Sequence, residues 1–175
     1  MMETSPTIPM ITTQRLVLRP FSAADLPMLK PIVQEPDIFY YFPNQEPWSE
    51  EKAKGYIQYQ IDHWRFFGYG HWAVVLRENS QVIGWNGLEY LPETQETEVG
   101  YLLSRVFWGK GYATESTSAV IQFGLNKKGL KEIIGLTHPE NIASQRVLEK
   151  SGLSFTRSEH YFGMEMFRFA TQASV

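Results

Sequence analysis

Between residues 71 and 104 the chain spells three strand-like stretches in succession, HWAVVL, QVIGWNGLEY and TEVGYLLS, with only short polar segments between them. Branched and aromatic residues dominate each stretch, and links this short join neighbours antiparallel, so the pattern predicts a meander. A turn with two glycines, Trp108-Gly109-Lys110-Gly111, follows, then a helix from Tyr112 to about Lys127 and a strand near 131–137. Strand, glycine turn, helix and strand make one βαβ-like unit. A meander that continues into a single crossover excludes an all-helical chain and the repeated βαβ of a doubly wound fold, and leaves α+β.

The flanking segments agree with that class. Residues 1–12 carry two prolines and no period, and read as an extended arm. Residues 15–19 (RLVLR) read as a short buried strand, and Ser22 with Asp25 resembles a capping box. The helix it opens is kept short or bent by Pro27 and Pro31, which remove backbone donors. An aromatic and proline-rich loop, YYFPNQEPW at 40–48, precedes Ser49, the expected N-cap of a helix to about Phe67 whose buried face is Ile57, Ile61 and Trp64. In the helix after the glycine turn, Tyr112, Ala119, Val120 and Phe123 share the apolar face. Asn141 to Ser151 forms the last helix, stopped by Gly152, and strand-like stretches near 153–157 and 163–169 close the chain. With no repeat, linker or low-complexity tract, residues 1–175 are expected to form one domain.

Composition removes whole classes of chemistry. The chain has no cysteine, which excludes disulfides, thiolate metal sites and a cysteine nucleophile. Its four histidines, His63, His71, His138 and His160, lack ligand spacing, so no metal is expected. Sixteen basic against nineteen acidic residues give a net charge of −3, and the basic ones are scattered, which argues against a nucleic-acid partner. No apolar run approaches the roughly 20 residues of a membrane span, and no Lys or Arg precedes Arg15; the expectation is a cytoplasmic protein with no membrane partner. Aromatic residues reach 14%, enough for either a stiff core or a ring-lined cleft.

The glycine turn is the richest motif. Glycines let the backbone take positive φ and approach a ligand, and the helix behind them presents unpaired amides and partial positive charge to an anion. A glycine pair that serves turn geometry alone would look the same. A Walker loop is ruled out, since Ser104 stands where its first glycine belongs and Gly111 follows Lys110. A dinucleotide fingerprint fails at Thr114.

Four ordered stretches carry a family resemblance: TTQRLVLRPFSAADL at 12–26, TEVGYLLS at 97–104, WGKGYATE from Trp108, and HPENIASQRVLEKSGL at 138–153. With them the chain resembles the GNAT superfamily of acetyl-coenzyme A-dependent N-acetyltransferases. Its phosphate loop, Gln/Arg-x-x-Gly-x-Gly/Ala, is matched at Gly111 and Ala113 and departed from at Trp108, as in the branch of the ribosomal-protein N-terminal acetyltransferases. The resemblance implies a mixed, strongly bent sheet of about six or seven mostly antiparallel strands, split near the cofactor site, with about four helices. It implies acetyl-coenzyme A as co-substrate and a primary amine as acceptor, either a protein N-terminus or a small molecule; a homodimer stays open.

Residue by residue, the resemblance places the cofactor against Leu102, Leu103, Trp108, Gly109, Lys110, Gly111, Tyr112, Ala113, Thr114, Asn141 and Ser144. Alternation sets Glu98, Gly100 and Leu102 on one face of their strand and Val99, Tyr101 and Leu103 on the other. Glu98 is the candidate base, since a carboxylate in a cleft has its pKa raised; a solvated strand-end glutamate is the alternative. Many relatives draw the thiolate's proton from a tyrosine where this chain has Leu148, so the resemblance makes Ser144 the candidate for that role and Asn141 a holder of the cofactor arm, both also ordinary helix-capping types. Tyr40, Tyr41, Phe42, Trp85, Asn86 and His138 fall in segments that shape the family's acceptor side, with core packing the alternative for the rings. Without a cysteine to carry an acyl group, direct attack by the amine is expected. A non-catalytic acyl-coenzyme A sensor and a nucleotide-binding α/β domain are the other readings.

Overall fold

A computed structural model describes residues 7–172. In chain order it contains β1 (Ile11–Thr12), β2 (Leu16–Arg19), a 3-10 turn at Ala23–Asp25, α1 (Leu26–Val33), α2 (Glu50–Phe67), β3 (His71–Leu76), β4 (Val82–Leu91) and β5 (Glu96–Leu103). A second 3-10 turn at Arg105–Phe107, α3 (Tyr112–Asn126), β6 (Ile134–Thr137), α4 (Ile142–Lys150), β7 (Leu153–Tyr161) and β8 (Met164–Thr171) complete it. The strands form one sheet in the order β1-β2-β3-β4-β5-β6-β8-β7. All pairs are antiparallel except β5 with β6, where a single registered pair, Glu98 with Ile134, joins two strands that then diverge. That is the expected split. The eighth strand, β1, comes from the end of the expected arm: Ile11 and Thr12 pair with β2, and Pro9 accepts a hydrogen bond from the Trp72 indole at 2.7 Å. Residues 1–6 of the arm lie outside the described residues.

Helices cover both faces. On one side α1 and α2 enclose Leu29, Val33, Phe39, Ala53 and Ile57 against Ala73, Trp85 and Leu102 of the sheet. On the other, α3 and α4 enclose Trp72, Val74, Leu88 and Val99 with Val120, Ile121 and Leu148. Ser49 caps α2 by accepting from the Lys52 amide at 3.1 Å, and Gly68 ends it at φ 71°. The prolines keep α1 to eight residues.

Two helical faces differ from the sequence reading. In α2, Ile61 is half-buried, while Gln60 and His63 are buried because they bond the turn into β3: the Gln60 carbonyl accepts from the His71 amide, and His63 Nδ1 meets the Tyr69 carbonyl. In α3 the buried set is Ser116, Thr117, Val120, Ile121 and Gly124, whereas Tyr112, Ala119 and Phe123 lie at its margins. Small residues face the sheet because the helix sits close to it: a Cβ at Gly124 would stand 2.6 Å from Ile133 and 2.8 Å from Leu88.

Candidate active site

The glycine turn is held from outside by one carboxylate. Glu115, in the first turn of α3, accepts from the Thr13 hydroxyl at 2.7 Å, the Arg15 amide at 2.8 Å and the Arg15 guanidinium at 2.7 Å. Arg15 also donates to the Lys110 carbonyl at 2.8 Å and lies 4.3 Å from the Tyr112 ring centre. Burial alone would raise the Glu115 carboxyl, but these donors outweigh it and hold it below the usual range. So fixed, Gly109 and Gly111 take φ of 71° and 81°, and nothing lies within 4 Å of where a Gly109 Cβ would be. Side chains cap α2 and α4, from Ser49 and Asn141, but none caps α3, whose first amides are left for an anion. Trp108 is half exposed and donates its indole N–H to the Leu103 carbonyl at 2.7 Å, bracing the end of β5. Leu102 and Leu103 themselves are buried on opposite sides of the sheet.

The split separates two chemistries. Toward α4, the Tyr101 and Ser144 hydroxyls are 2.7 Å apart, and burial pushes the phenol up to about 12, with the Ser144 contact acting the other way. Asn141 spends its side-chain oxygen on the Ser144 amide at 3.1 Å, so it caps α4. Leu148 is buried, and a Cβ at Gly135 would stand 2.6 Å from it.

The opposite face carries Glu98 and, directly across in register on β4, Glu89. Burial first and then the Glu89 charge push the Glu98 carboxyl up to about 8, with the Leu136 amide opposing them. Tyr59 of α2 donates to Glu89 at 2.8 Å. His71 shares a 2.7 Å hydrogen bond through Nδ1 with the Tyr56 hydroxyl, and its Nε2 lies 3.7 Å from Glu89. Burial drops the imidazole to about 4 against the pull of Glu89, so His71 is neutral near pH 7.

The loop at 40–48 reaches the split. The Tyr41 hydroxyl donates to the Glu140 carbonyl at 3.4 Å, its ring lies 5.4 Å from His138, and Tyr40 and Phe42 stay exposed beside it. Trp85 faces the same side but is buried, its ring 5.4 Å from Trp48 and 4.8 Å from Tyr56. Asn86 requires correction. One residue along β4 turns it to the other face, where it is fully buried and donates to Ser116 at 2.8 Å and Thr117 at 2.9 Å. It ties α3 to the sheet and lines no acceptor space. Trp64 is in the core, as its spacing indicated.

Residues 15–154 match the family described as acetyltransferase (GNAT) domain. The chain belongs to the GNAT acetyltransferases. This acetyltransferase is 29% identical over 153 residues to the uncharacterized N-acetyltransferase YnaD of Bacillus subtilis (strain 168), covering 87% of this chain and 85% of that one. Its fold superposes on the acetyltransferase from Agrobacterium tumefaciens str. C58 with a TM-score of 0.83 at 26% identity, covering 95% of each chain. RimL, a ribosomal L7/L12 alpha-N-protein acetyltransferase solved with coenzyme A, shares the fold at a TM-score of 0.78 and 18% identity, with 93% and 97% covered.

Sequence reasoning passed over four side chains that this GNAT acetyltransferase brings to the site: Glu89, His71, Tyr101 and Glu115. Glu89 was findable, because a hairpin centred on the PETQ turn sets it opposite Glu98. Glu115 was not, since its partners lie about a hundred residues away in the chain. Among the described residues no helix is long and apolar enough to cross a membrane, and no group of three or more His, Asp or Glu is placed to hold a metal.

Proposed function

We propose that this enzyme moves the acetyl group of acetyl-coenzyme A to a primary amine by direct attack, within one catalytic domain, in a complex of both substrates. The glycine turn fits the co-substrate: positive-φ glycines, an open Gly109 and uncapped α3 amides suit a pyrophosphate, with Lys110 adding charge. Bound there, the co-substrate supplies an activated acetyl thioester. Gly109 to Thr114 would hold its phosphates, and the backbone of Leu102 and Leu103 would flank its arm at the divergence of β5 and β6.

The observation that carries the reading is the division of labour across β5, with a carboxylate of raised pKa on one face and a hydroxyl pair on the other. Glu98 takes a proton from the incoming ammonium, directly or through water, leaving the neutral amine that attacks. As the C–N bond forms and the C–S bond breaks, Ser144 gives its hydroxyl proton to the departing sulfur and regains one from Tyr101, and the second proton that the nitrogen loses on becoming an amide restores the Tyr101 phenol through solvent. Products are the acetamide and free coenzyme A, and the proton from Glu98 returns to solvent.

Tyr40, Tyr41, Phe42 and His138 rim the amine's approach, which favours an amine on an apolar or aromatic body, or a peptide N-terminus. Thiol release from acetyl-coenzyme A against a panel of amines and N-terminal peptides tests this. Acceptor-dependent release that falls in Glu98→Gln supports it. Thermal stabilisation by coenzyme A with no release for any acceptor favours the sensor reading, and equal stabilisation by a nucleotide lacking pantetheine favours a nucleotide site.

A further inference from the structure

The face opposite the hydroxyl pair holds more than a base. Glu89 and Glu98 stand directly across from each other on β4 and β5, an arrangement in which like charges repel. Other half-buried glutamates of the sheet region are compensated: Glu96 receives Arg168 at 2.8 Å and the Tyr161 hydroxyl at 2.8 Å, and Glu115 receives Arg15. Among the described residues neither Glu89 nor Glu98 has a Lys or Arg in ion-pair contact. Beside them Gly100 leaves the strand face open, since an added Cβ would meet only the His71 imidazole, at 3.7 and 3.9 Å. His71 is 6% exposed and its Nε2 has no hydrogen-bond partner, though it points into this same space. The sheet has therefore kept two carboxylates and one orphaned ring nitrogen around a position without a side chain.

We infer that Glu89, with His71 Nε2 and Glu98 over Gly100, is a seat for the acceptor's ammonium group, so that the acceptor is a primary amine that enters protonated. This rests on the transferase reading above and adds the residue that selects the amine. Tyr59 orients the Glu89 carboxylate from α2, and Tyr56 fixes the imidazole: the tautomer whose Nδ1–H donates to the phenol oxygen leaves the Nε2 lone pair free to accept from the ammonium. Other groups facing the seat are the Leu136 amide on Glu98 and, along β5, Glu96 with its Arg168 partner.

The seat also accounts for how the base is readied. With its carboxyl raised to about 8, Glu98 is mostly protonated near pH 7 and cannot accept a proton. A cation placed between the two carboxylates favours their charged forms, so binding expels the Glu98 proton to solvent. The freed carboxylate then takes one proton from the ammonium it faces, and charge balances at each step. The enzyme is armed by its own substrate, and a neutral isostere does not arm it.

Calorimetric titration of the full chain with coenzyme A present tests the seat, using phenethylammonium and the uncharged 2-phenylethanol as probes near pH 7. The expected result is that the ammonium binds tighter by roughly ten- to a hundredfold, with proton release seen as a dependence of heat on buffer ionisation enthalpy. Glu89→Gln keeps an acceptor for Tyr59, so the fold is retained while the preference and the proton release are lost. Gly100→Ala, which meets no close contact, weakens the ammonium by filling its place. Equal binding of the two probes, or a preference that survives Glu89→Gln, overturns the inference. Stabilisation by coenzyme A, read in the same samples, separates the failures: its loss sinks the transferase reading, while its persistence without the preference sinks the seat alone.

Discussion

Glu98 and Glu115 are both half-buried glutamates, and they meet burial in opposite ways. Around Glu115 the fold gathers a hydroxyl, an amide and a guanidinium, so the carboxyl is held ionised and the glycine turn is tied to the β1–β2 edge. Around Glu98 it gathers another carboxylate and little to compensate, so the proton is held on. One is a fixed strut and the other is the base of the proposed mechanism. Electrostatic satisfaction thus separates what builds the site from what works in it, and a poorly compensated group stands where chemistry is expected.

Breaking Glu98 should have the largest effect. Glu98→Gln is expected to lower kcat by about 10²–10⁴, with thermal stabilisation by acetyl-coenzyme A intact. Glu115→Ala should do the reverse, costing about 2 kcal/mol in chemical denaturation and raising KM for acetyl-coenzyme A while kcat changes little. The hydroxyl pair lies between these roles. Ser144→Ala and Tyr101→Phe should each reduce kcat by roughly tenfold, and the double variant by little more than either if they act as one unit; full turnover in Ser144→Ala removes it from the mechanism.

The two glutamates also give opposite pH dependences. A depressed carboxyl such as Glu115 stabilises the fold above its unfolded value of 4.5, and that contribution fades as pH falls through its lower folded value. A raised one such as Glu98 is neutral for stability below 4.5, and its cost grows as pH climbs toward about 8. Thermal melts across this window should therefore show Glu98→Gln gaining on the parent with rising pH, the smallest of these effects.

Much of this was legible in the chain. The meander, the glycine turn and its helix, Ser49 and the Asn141 cap follow from local rules, and local rules govern backbone hydrogen bonding at turns and caps. Alternation along TEVGYLLS assigned Glu98 and Tyr101 to opposite faces correctly. The same rule, applied to β4, would have turned Asn86 away from the acceptor side. What local rules do not carry is packing distance and long-range pairing: that α3 turns serine, threonine and glycine to the sheet depends on how close it sits, and that Thr13 and Arg15 hold Glu115 depends on a contact between chain segments far apart. Leu148 gave the clearest negative, since its absent hydroxyl directed attention to Ser144, and the structure adds Tyr101 beside it.

Titration of the Glu98 side-chain carboxyl by carbon NMR, in the chain with coenzyme A, bears most directly on the idea that an uncompensated glutamate is stored protonated and armed by a cation. The expected midpoint is about 8 and falls when phenethylammonium is added. A midpoint in the ordinary carboxylate range, near 4.5 and unmoved by the amine, would contradict it.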